Sequence, residues 1–126
     1  MLNEKEILIH LVHHSRYVDK HFELAFKRDI AEFLIKEGYF EDDIPHKFSD
    51  KANLVLNNFY EENKEDVTQV LKKVKSPFSY ELICKELSLS SNDGRAEYLI
   101  KRLAEDNVII ISESTDWGDR IKILFN

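Results

Sequence analysis

Three histidines near the start of the chain are the residues whose spacing could do chemistry. His10 and His14 are four residues apart and share one face of a helix, with His13 beside them. That spacing suits zinc or another divalent metal, but a site would need a third ligand, from His21 or Asp19. No glutamate stands between the histidines as it does in metalloprotease helices. We therefore expect polar histidines beside an apolar stripe and no bound metal.

Other side chains that often carry catalysis lack the neighbours they would need. Cys84, the single cysteine, lies between Ile83 and Lys85 in an apolar stretch, so we expect it to fill the core. With 24 acidic residues, pairs such as Asp42–Asp43 are expected from composition alone. The three glycines stand apart from one another, so the sequence contains no glycine-rich phosphate-binding motif. The sequence predicts a protein that is not an enzyme and has no cofactor.

Composition limits the class of protein and of partner. A chain of 126 residues suits one domain, or two very small ones, and a hydrophobic fraction of 43% excludes general disorder. Few glycines and prolines predict a mainly helical chain. The net charge of -6 argues against a broad nucleic-acid footprint but leaves room for one small basic patch. With a lone thiol and neither a signal peptide nor an apolar run of membrane-spanning length, we expect a soluble, cytoplasmic protein with no membrane partner.

The first half of the chain has the periodicity of helices. Residues 3–14 and the segment Tyr17–Glu37 repeat apolar residues every three or four positions. Gly38 stands where a glycine commonly ends a helix. Residues Tyr39–Phe48 indicate a loop or a rudimentary hairpin, after which Ser49 can cap a third helix.

The run Glu61–Asp66 contains no apolar residue and allows two interpretations. It is either a boundary between an N-terminal helical region, residues 1–62, and a second domain, residues 63–126, or the solvated surface of a continuous helix. We place the domain boundary there.

The second half predicts three helices and then two strands. The first helix stops before Pro77, and Ser79 can cap the second. The third has Ala96, Leu99, Ile100 and Leu103 on its inner face. The remaining predicted segments are a turn at Ser90–Gly94, strands at Val108–Ser112 and Arg120–Phe125, and a turn at Ser114–Asp119.

From Glu65 onward this order of elements resembles the winged-helix superfamily, and within it the bacterial regulators of the MarR and PadR type. Leu87–Ser91 would be the turn, Arg95–Asn107 the recognition helix and Val108–Asn126 the wing. The resemblance implies a mainly α fold with a small antiparallel β wing, a C-terminal winged helix-turn-helix preceded by an N-terminal helical region. In that superfamily the helix after the turn enters the major groove of DNA and the wing touches the backbone or minor groove.

The N-terminal region could itself be a second, degenerate winged helix. Residues 31–36 closely match residues 96–101, and Gly38 could begin a stunted wing. The registers then diverge, because the second copy continues for another turn and a half before Asn107. Amphipathic helices also repeat such stretches by chance, so both explanations stand.

Cations and donors on the predicted recognition helix and wing are the candidate DNA contacts, because base edges need donors and phosphates need positive charge. The candidates are Asn92, Arg95, Tyr98, Lys101, Arg102, Arg120 and Lys122. Against them, residues 90–126 contain five basic and seven acidic residues, with Asp93 at the helix start and Asp116 and Asp119 in the wing turn. Trp117 in that turn is either folded onto the strands or an exposed contact for a protein.

The sequence therefore supports two functions of different class. The first is a DNA-binding transcriptional regulator acting as a dimer, with Phe22, Phe26 and Phe33 as a self-association face unless the third helix covers them. The second is a protein–protein interaction adaptor that uses an acidic winged helix as its docking surface.

Overall fold

The computed structural model describes residues 2–15, 28–41, 47–89, 92–114 and 120–126. Within them the fold is mainly helical with one small antiparallel sheet, as the sequence predicts. The elements are α1 (Glu4–Ser15), α2 (Arg28–Lys36), α3 (Asp50–Lys73), α4 (Tyr80–Glu86), α5 (Arg95–Glu105), β1 (Ile109–Ser114) and β2 (Ile121–Phe125). The chain divides into two compact units, Met1–Phe59 and Tyr60–Asn126. Among the described helices, none is long and apolar enough to cross a lipid bilayer.

In the first unit, local chemistry sets the ends of α2 and the start of α3. Gly38 has a φ of 86°, and the backbone N–H of Tyr39 donates to the carbonyl of Leu34 at 2.9 Å, which closes α2 as predicted. Ser49 caps α3, because its Oγ accepts from the N–H of Ala52 at 3.4 Å. The expected start of α2 at Tyr17 lies outside the described residues.

The hairpin interpretation of Tyr39–Phe48 is confirmed. Phe40 and Phe48 form an isolated antiparallel bridge, and the N–H of Glu41 donates to the carbonyl of Lys47 at 2.9 Å. Residues 42–46, with Asp42, Asp43 and Pro45, lie outside the described part of the chain.

Helix α3 is continuous over 24 residues and passes through Glu61–Asp66 without a break. The run without apolar residues is therefore a solvated helix surface, the second of the two interpretations. The helix contributes residues 50–59 to the first unit and residues 60–73 to the second.

The second unit is built around the inner face of α5. Ala96, Leu99, Ile100 and Leu103 are buried as predicted, together with Ile109, Ile121 and Ile123 of the strands. Ser79 caps α4 by accepting from the N–H of Leu82 at 3.2 Å. Strands β1 and β2 pair antiparallel, with Ile110 opposite Leu124 and a bulge between Ile111 and Glu113.

A bridge between Phe78 and β2 was not predicted. Phe78 and Ile121 exchange two backbone hydrogen bonds, of 2.9 and 2.7 Å, and both side chains are buried. This bridge attaches the hairpin to the segment between α3 and α4. A single paired residue has no periodicity, so the sequence alone could not reveal it.

Candidate binding surface of the second unit

The candidate DNA contacts predicted from the sequence lie on helix α5 and the β1–β2 hairpin, apart from Asn92. Helix α5 begins after Gly94, whose φ of 99° is open to glycine and strained for other residues. Its amphipathic sequence buries one face and turns Lys101 and Glu105 to solvent.

Arg95, one of the candidate DNA contacts predicted from the sequence, is not an exposed cation. The residue is 7% exposed, and its Nε donates to Oδ1 of Asp93 at 2.9 Å and to Oδ2 at 3.1 Å. Its Nη2 is buried and has no hydrogen-bond partner among the described residues. The side chain folds back toward the residue two positions earlier, so its guanidinium is directed into the protein and away from a ligand in solution.

Arg102 is held in a cluster with Tyr60, Tyr98 and Asp106, which we call the tyrosine–arginine cluster. Its guanidinium carbon lies 4.4 Å from the ring centre of Tyr60 and 5.7 Å from that of Tyr98. Its Nη1 donates to the hydroxyl of Tyr98 at 2.6 Å. The charged group is half-buried against two aromatic rings, an arrangement that stabilises α5 against the second half of α3.

Tyr60 completes the tyrosine–arginine cluster from helix α3. Its side chain is buried, and its hydroxyl donates to Oδ2 of Asp106 at 2.7 Å. Burial, and then this hydrogen bond to a carboxylate, raise the pKa of Tyr60 well above its usual value. Burial also raises the pKa of Tyr98, against the opposing effect of Arg102. Both hydroxyls are therefore neutral hydrogen-bonding groups at physiological pH.

Lys101 is the exposed cation of α5, and it also has an acidic neighbour. Its Nζ lies 2.8 Å from Oε1 of Glu97, one helical turn earlier. Arg102 in turn has its Nε 3.9 Å from Oε2 of Glu105. Each of the three cations of α5 therefore has a carboxylate within 4 Å.

The remaining nominated residues are at the surface. Arg120 and Lys122 are exposed, and Lys122 stands opposite Glu113 in the register of the hairpin. Asn92 is exposed, with its Oδ1 3.7 Å from Sγ of Cys84. Trp117, with Asp116 and Asp119, lies outside the described residues.

The outer face of the hairpin is apolar, which the sequence reasoning missed. Ile110 is 49% exposed and Leu124 is 56% exposed, and the two stand directly opposite each other on neighbouring strands. Phe125 follows Leu124 and so lies on the opposite face of β2, where it is 42% exposed at the end of the strand. The sequence does contain a signal for this apolar face. The run Val108–Ile111 is apolar at every position, so a strand there places apolar groups on both faces.

Neither the histidines nor the cysteine form a chemical site in the described residues. His14 is buried, with its ring centre 5.1 Å from that of Phe40 and 5.6 Å from that of Phe48. In the described ranges, no group of three histidines, cysteines or acids could hold a metal; His21 and Asp19 lie outside them. Burial raises the pKa of the Cys84 thiol, which disfavours the nucleophilic thiolate.

The chain was compared with protein-family models, curated proteins and solved structures, and nothing in any of the three matches it.

Proposed function

We propose that residues 60–126 form a winged helix whose role is to contact another protein, and that the chain is a small interaction adaptor. The order of its elements supports this fold: the end of α3, then α4, α5 and the β1–β2 hairpin. The Phe78–Ile121 bridge adds support, because it ties the hairpin to the helices as a wing requires. The single free cysteine, Cys84, is consistent with a reducing compartment such as the cytoplasm.

The pairing of the α5 cations is the observation that favours a protein over DNA. A helix that reads DNA gains most of its affinity from cations that meet phosphates. Here Arg95 is buried on Asp93, and Arg102 is held between two tyrosine rings. Lys101 can turn to a phosphate, because its side chain is 54% exposed. Glu97 would then remain beside the phosphate and oppose binding.

The outer face of the hairpin supplies what a protein contact needs. Exposed Ile110 and Leu124 form one cross-strand pair on this face. Apolar groups presented together on a rigid element are typical of protein interfaces, where burial of such side chains dominates the binding energy. Nucleic acid gains little from an aliphatic pair on a strand surface.

Titration of a fluorescent mixed-sequence DNA duplex, followed by anisotropy at stepped salt concentrations, tests the proposal. We expect no salt-dependent binding by the wild-type chain. The variant Lys101→Ala, Arg120→Ala, Lys122→Ala should give the same curve. Steeply salt-dependent binding that this variant loses would overturn the protein-binding proposal.

If the wild-type chain does not bind DNA, a second variant tests whether the carboxylates on α5 are the cause. Glu97→Gln with Glu105→Gln removes the carboxylates beside Lys101 and Arg102 and adds no cation. If these acids are what disfavour DNA, this variant should gain weak binding that disappears as salt rises. Equal absence of binding in both chains would place the cause elsewhere on the surface.

A DNA-binding transcriptional regulator is the second candidate, and the exposure of Arg120 and Lys122 favours it. These cations would meet the DNA backbone through the wing, while Lys101, Tyr98 and Asn92 would lie closest to the bases. The same anisotropy titration separates the two candidates.

A further inference from the structure

Two short segments of the second unit carry positive charge and no negative charge. Residues 72–78 and 121–126 contain four lysines and no acidic residue. The rest of residues 60–126 contains six basic and 13 acidic residues. The charges of this unit are therefore segregated along the chain, although the whole protein has a net charge of -6.

The fold places these two segments side by side. Phe78 and Ile121 exchange two backbone hydrogen bonds, and the N–H of Ile123 donates to Oγ of Ser76 at 3.2 Å. Lys75 directly precedes Ser76, and α3 ends two residues before Lys75. The lysines at the end of α3 therefore lie beside β2.

The lysines of these segments have charge that a partner can use. Lys72, Lys75 and Lys122 are exposed, and among the described residues no carboxylate lies within 4 Å of their amino groups. The side chain of Lys73 is 75% exposed, and its Nζ lies 3.9 Å from Oε2 of Glu86. These lysines differ in this respect from the cations of α5, each of which has a carboxylate within 4 Å.

An exposed apolar pair lies next to these lysines. Lys122 and Leu124 share one face of β2, because residues two apart on a strand point the same way. Leu124 is 56% exposed and stands opposite Ile110, which is 49% exposed. In the described part of the hairpin, the register adds one carboxylate to this face, that of Glu113 opposite Lys122. We call this combined region the lysine–leucine surface; its residues are Lys72, Lys75, Lys122, Ile110 and Leu124.

We propose that the lysine–leucine surface binds an acidic segment of another protein, in which an apolar side chain lies between carboxylates. This rests on the proposed protein-binding function and gives the chemistry of the partner. The apolar side chain is buried against Ile110 and Leu124, and the carboxylates meet the surrounding lysines. The aliphatic stems of the lysines extend the apolar contact.

Charge complementarity distinguishes this partner from two others. A second copy of the chain that used the same surface would set lysines against lysines, and like charges across an interface oppose binding. A DNA backbone would meet the lysines but would offer Ile110 and Leu124 no apolar group. An acidic segment with an apolar side chain complements both parts of the surface.

Fluorescence anisotropy of the full chain with three labelled peptides of equal length tests the chemistry of the partner. The first peptide contains glutamate, leucine and serine. Glutamine replaces glutamate in the second, and serine replaces leucine in the third. We expect the first to bind with an affinity that falls as salt rises, and the other two to bind about tenfold more weakly. Equal binding of all three would overturn the proposed chemistry.

Variants of the chain test the position of the site. Lys75→Ala with Lys122→Ala should weaken binding of the first peptide about tenfold. The matched control is Lys36→Ala with Lys85→Ala, which makes the same change in net charge at two other exposed lysines and should leave binding unchanged. Circular dichroism of each variant checks that these exposed substitutions preserve the fold.

The apolar pair is tested in the same way. Leu124→Ser should weaken binding of the first peptide, whereas Leu54→Ser, at a leucine that is 60% exposed on α3, should not. Binding that survives both the lysine double variant and Leu124→Ser would overturn the lysine–leucine surface as the site.

Two outcomes separate this inference from the proposed function. If wild type binds none of the peptides, the acidic partner is overturned and the protein-binding function, which the DNA titration tests, still stands. If wild type binds duplex DNA and Lys75→Ala with Lys122→Ala loses that binding, both the acidic partner and the protein-binding function are overturned.

Discussion

Helix α5 and the β1–β2 hairpin form two neighbouring surfaces of one unit. The cations of α5 have carboxylates close by, whereas the hairpin exposes apolar side chains to solvent. On α5 the cations Arg95, Lys101 and Arg102 each have a carboxylate within 4 Å. On the hairpin, Ile110 is 49% exposed and Leu124 is 56% exposed. The comparison teaches that a count of cations overstates the charge available to a partner. The hairpin, in contrast, exposes apolar side chains to a partner.

The largest expected effect comes from the most buried of the α5 pairs. Asp93→Ala would leave the guanidinium of Arg95 buried without its counter-ion, which we expect to cost about 3 kcal/mol of unfolding free energy. The matched control is Glu97→Ala, whose partner Lys101 is exposed, with an expected cost of about 0.5 kcal/mol. Urea denaturation followed by circular dichroism measures both.

A small effect of Asp93→Ala would weaken the contrast between α5 and the hairpin. It would mean that Arg95 can swing into solvent at little cost. A DNA titration of that variant would then show whether the released cation contributes to binding.

The tyrosine–arginine cluster gives the next largest effect. Arg102→Ala removes the contacts with the rings of Tyr60 and Tyr98 and the hydrogen bond to Tyr98, so we expect a loss of about 1.5 kcal/mol. Lys101→Ala, one residue earlier on the same helix, should cost about 0.3 kcal/mol. Thermal and urea unfolding of the two variants measure the loss of unfolding free energy when the half-buried Arg102 or the exposed Lys101 is removed. Equal losses would contradict the structural role of Arg102.

Features set by neighbouring residues could be predicted from the sequence. The cap at Ser79, the glycine that ends α2 and the inner face of α5 each follow from a local pattern of a few residues. The hairpin followed from two short apolar runs separated by a polar turn. These features depend on backbone sterics and on the helical period, which can be inferred from the types and spacing of neighbouring residues.

Features that depend on distant residues or on side-chain direction could not be predicted from the sequence. The hydroxyl of Tyr60 bonds to Asp106, 46 residues away, and no periodicity links the two. A helical wheel gives the position of Arg95 around the helix axis but does not say that its long side chain folds back onto Asp93. The elements of the candidate surface, α5 and the hairpin, are therefore present as predicted, but the surroundings of their charged side chains required the three-dimensional structure.

The smallest expected effect concerns pH and tests whether the tyrosine–arginine cluster is formed in solution. Tyr60→Phe keeps the ring beside Arg102 and removes the hydrogen bond to Asp106, so we expect a loss of about 1 kcal/mol at neutral pH. The folded chain raises the pKa of Tyr60 above its unfolded value of about 10, first through burial and then through this bond. The neutral hydroxyl is therefore favoured by folding, and its contribution is complete below pH 10 and falls as the pH rises further.

The measurement is the difference in unfolding free energy between wild type and Tyr60→Phe, taken from pH 7 to pH 11. Groups common to both chains cancel in this difference, including Tyr98 and Cys84. We expect the gap to narrow above about pH 10, because the hydroxyl of Tyr60 then ionises in unfolded wild type but stays protonated in the folded chain, which favours unfolding of wild type alone. Tyr39→Phe, which keeps Tyr60, should follow wild type through this range. A gap that stays constant to pH 11 would mean that Tyr60 does not donate to Asp106 in solution, and that Arg102 is less firmly held than the cluster implies.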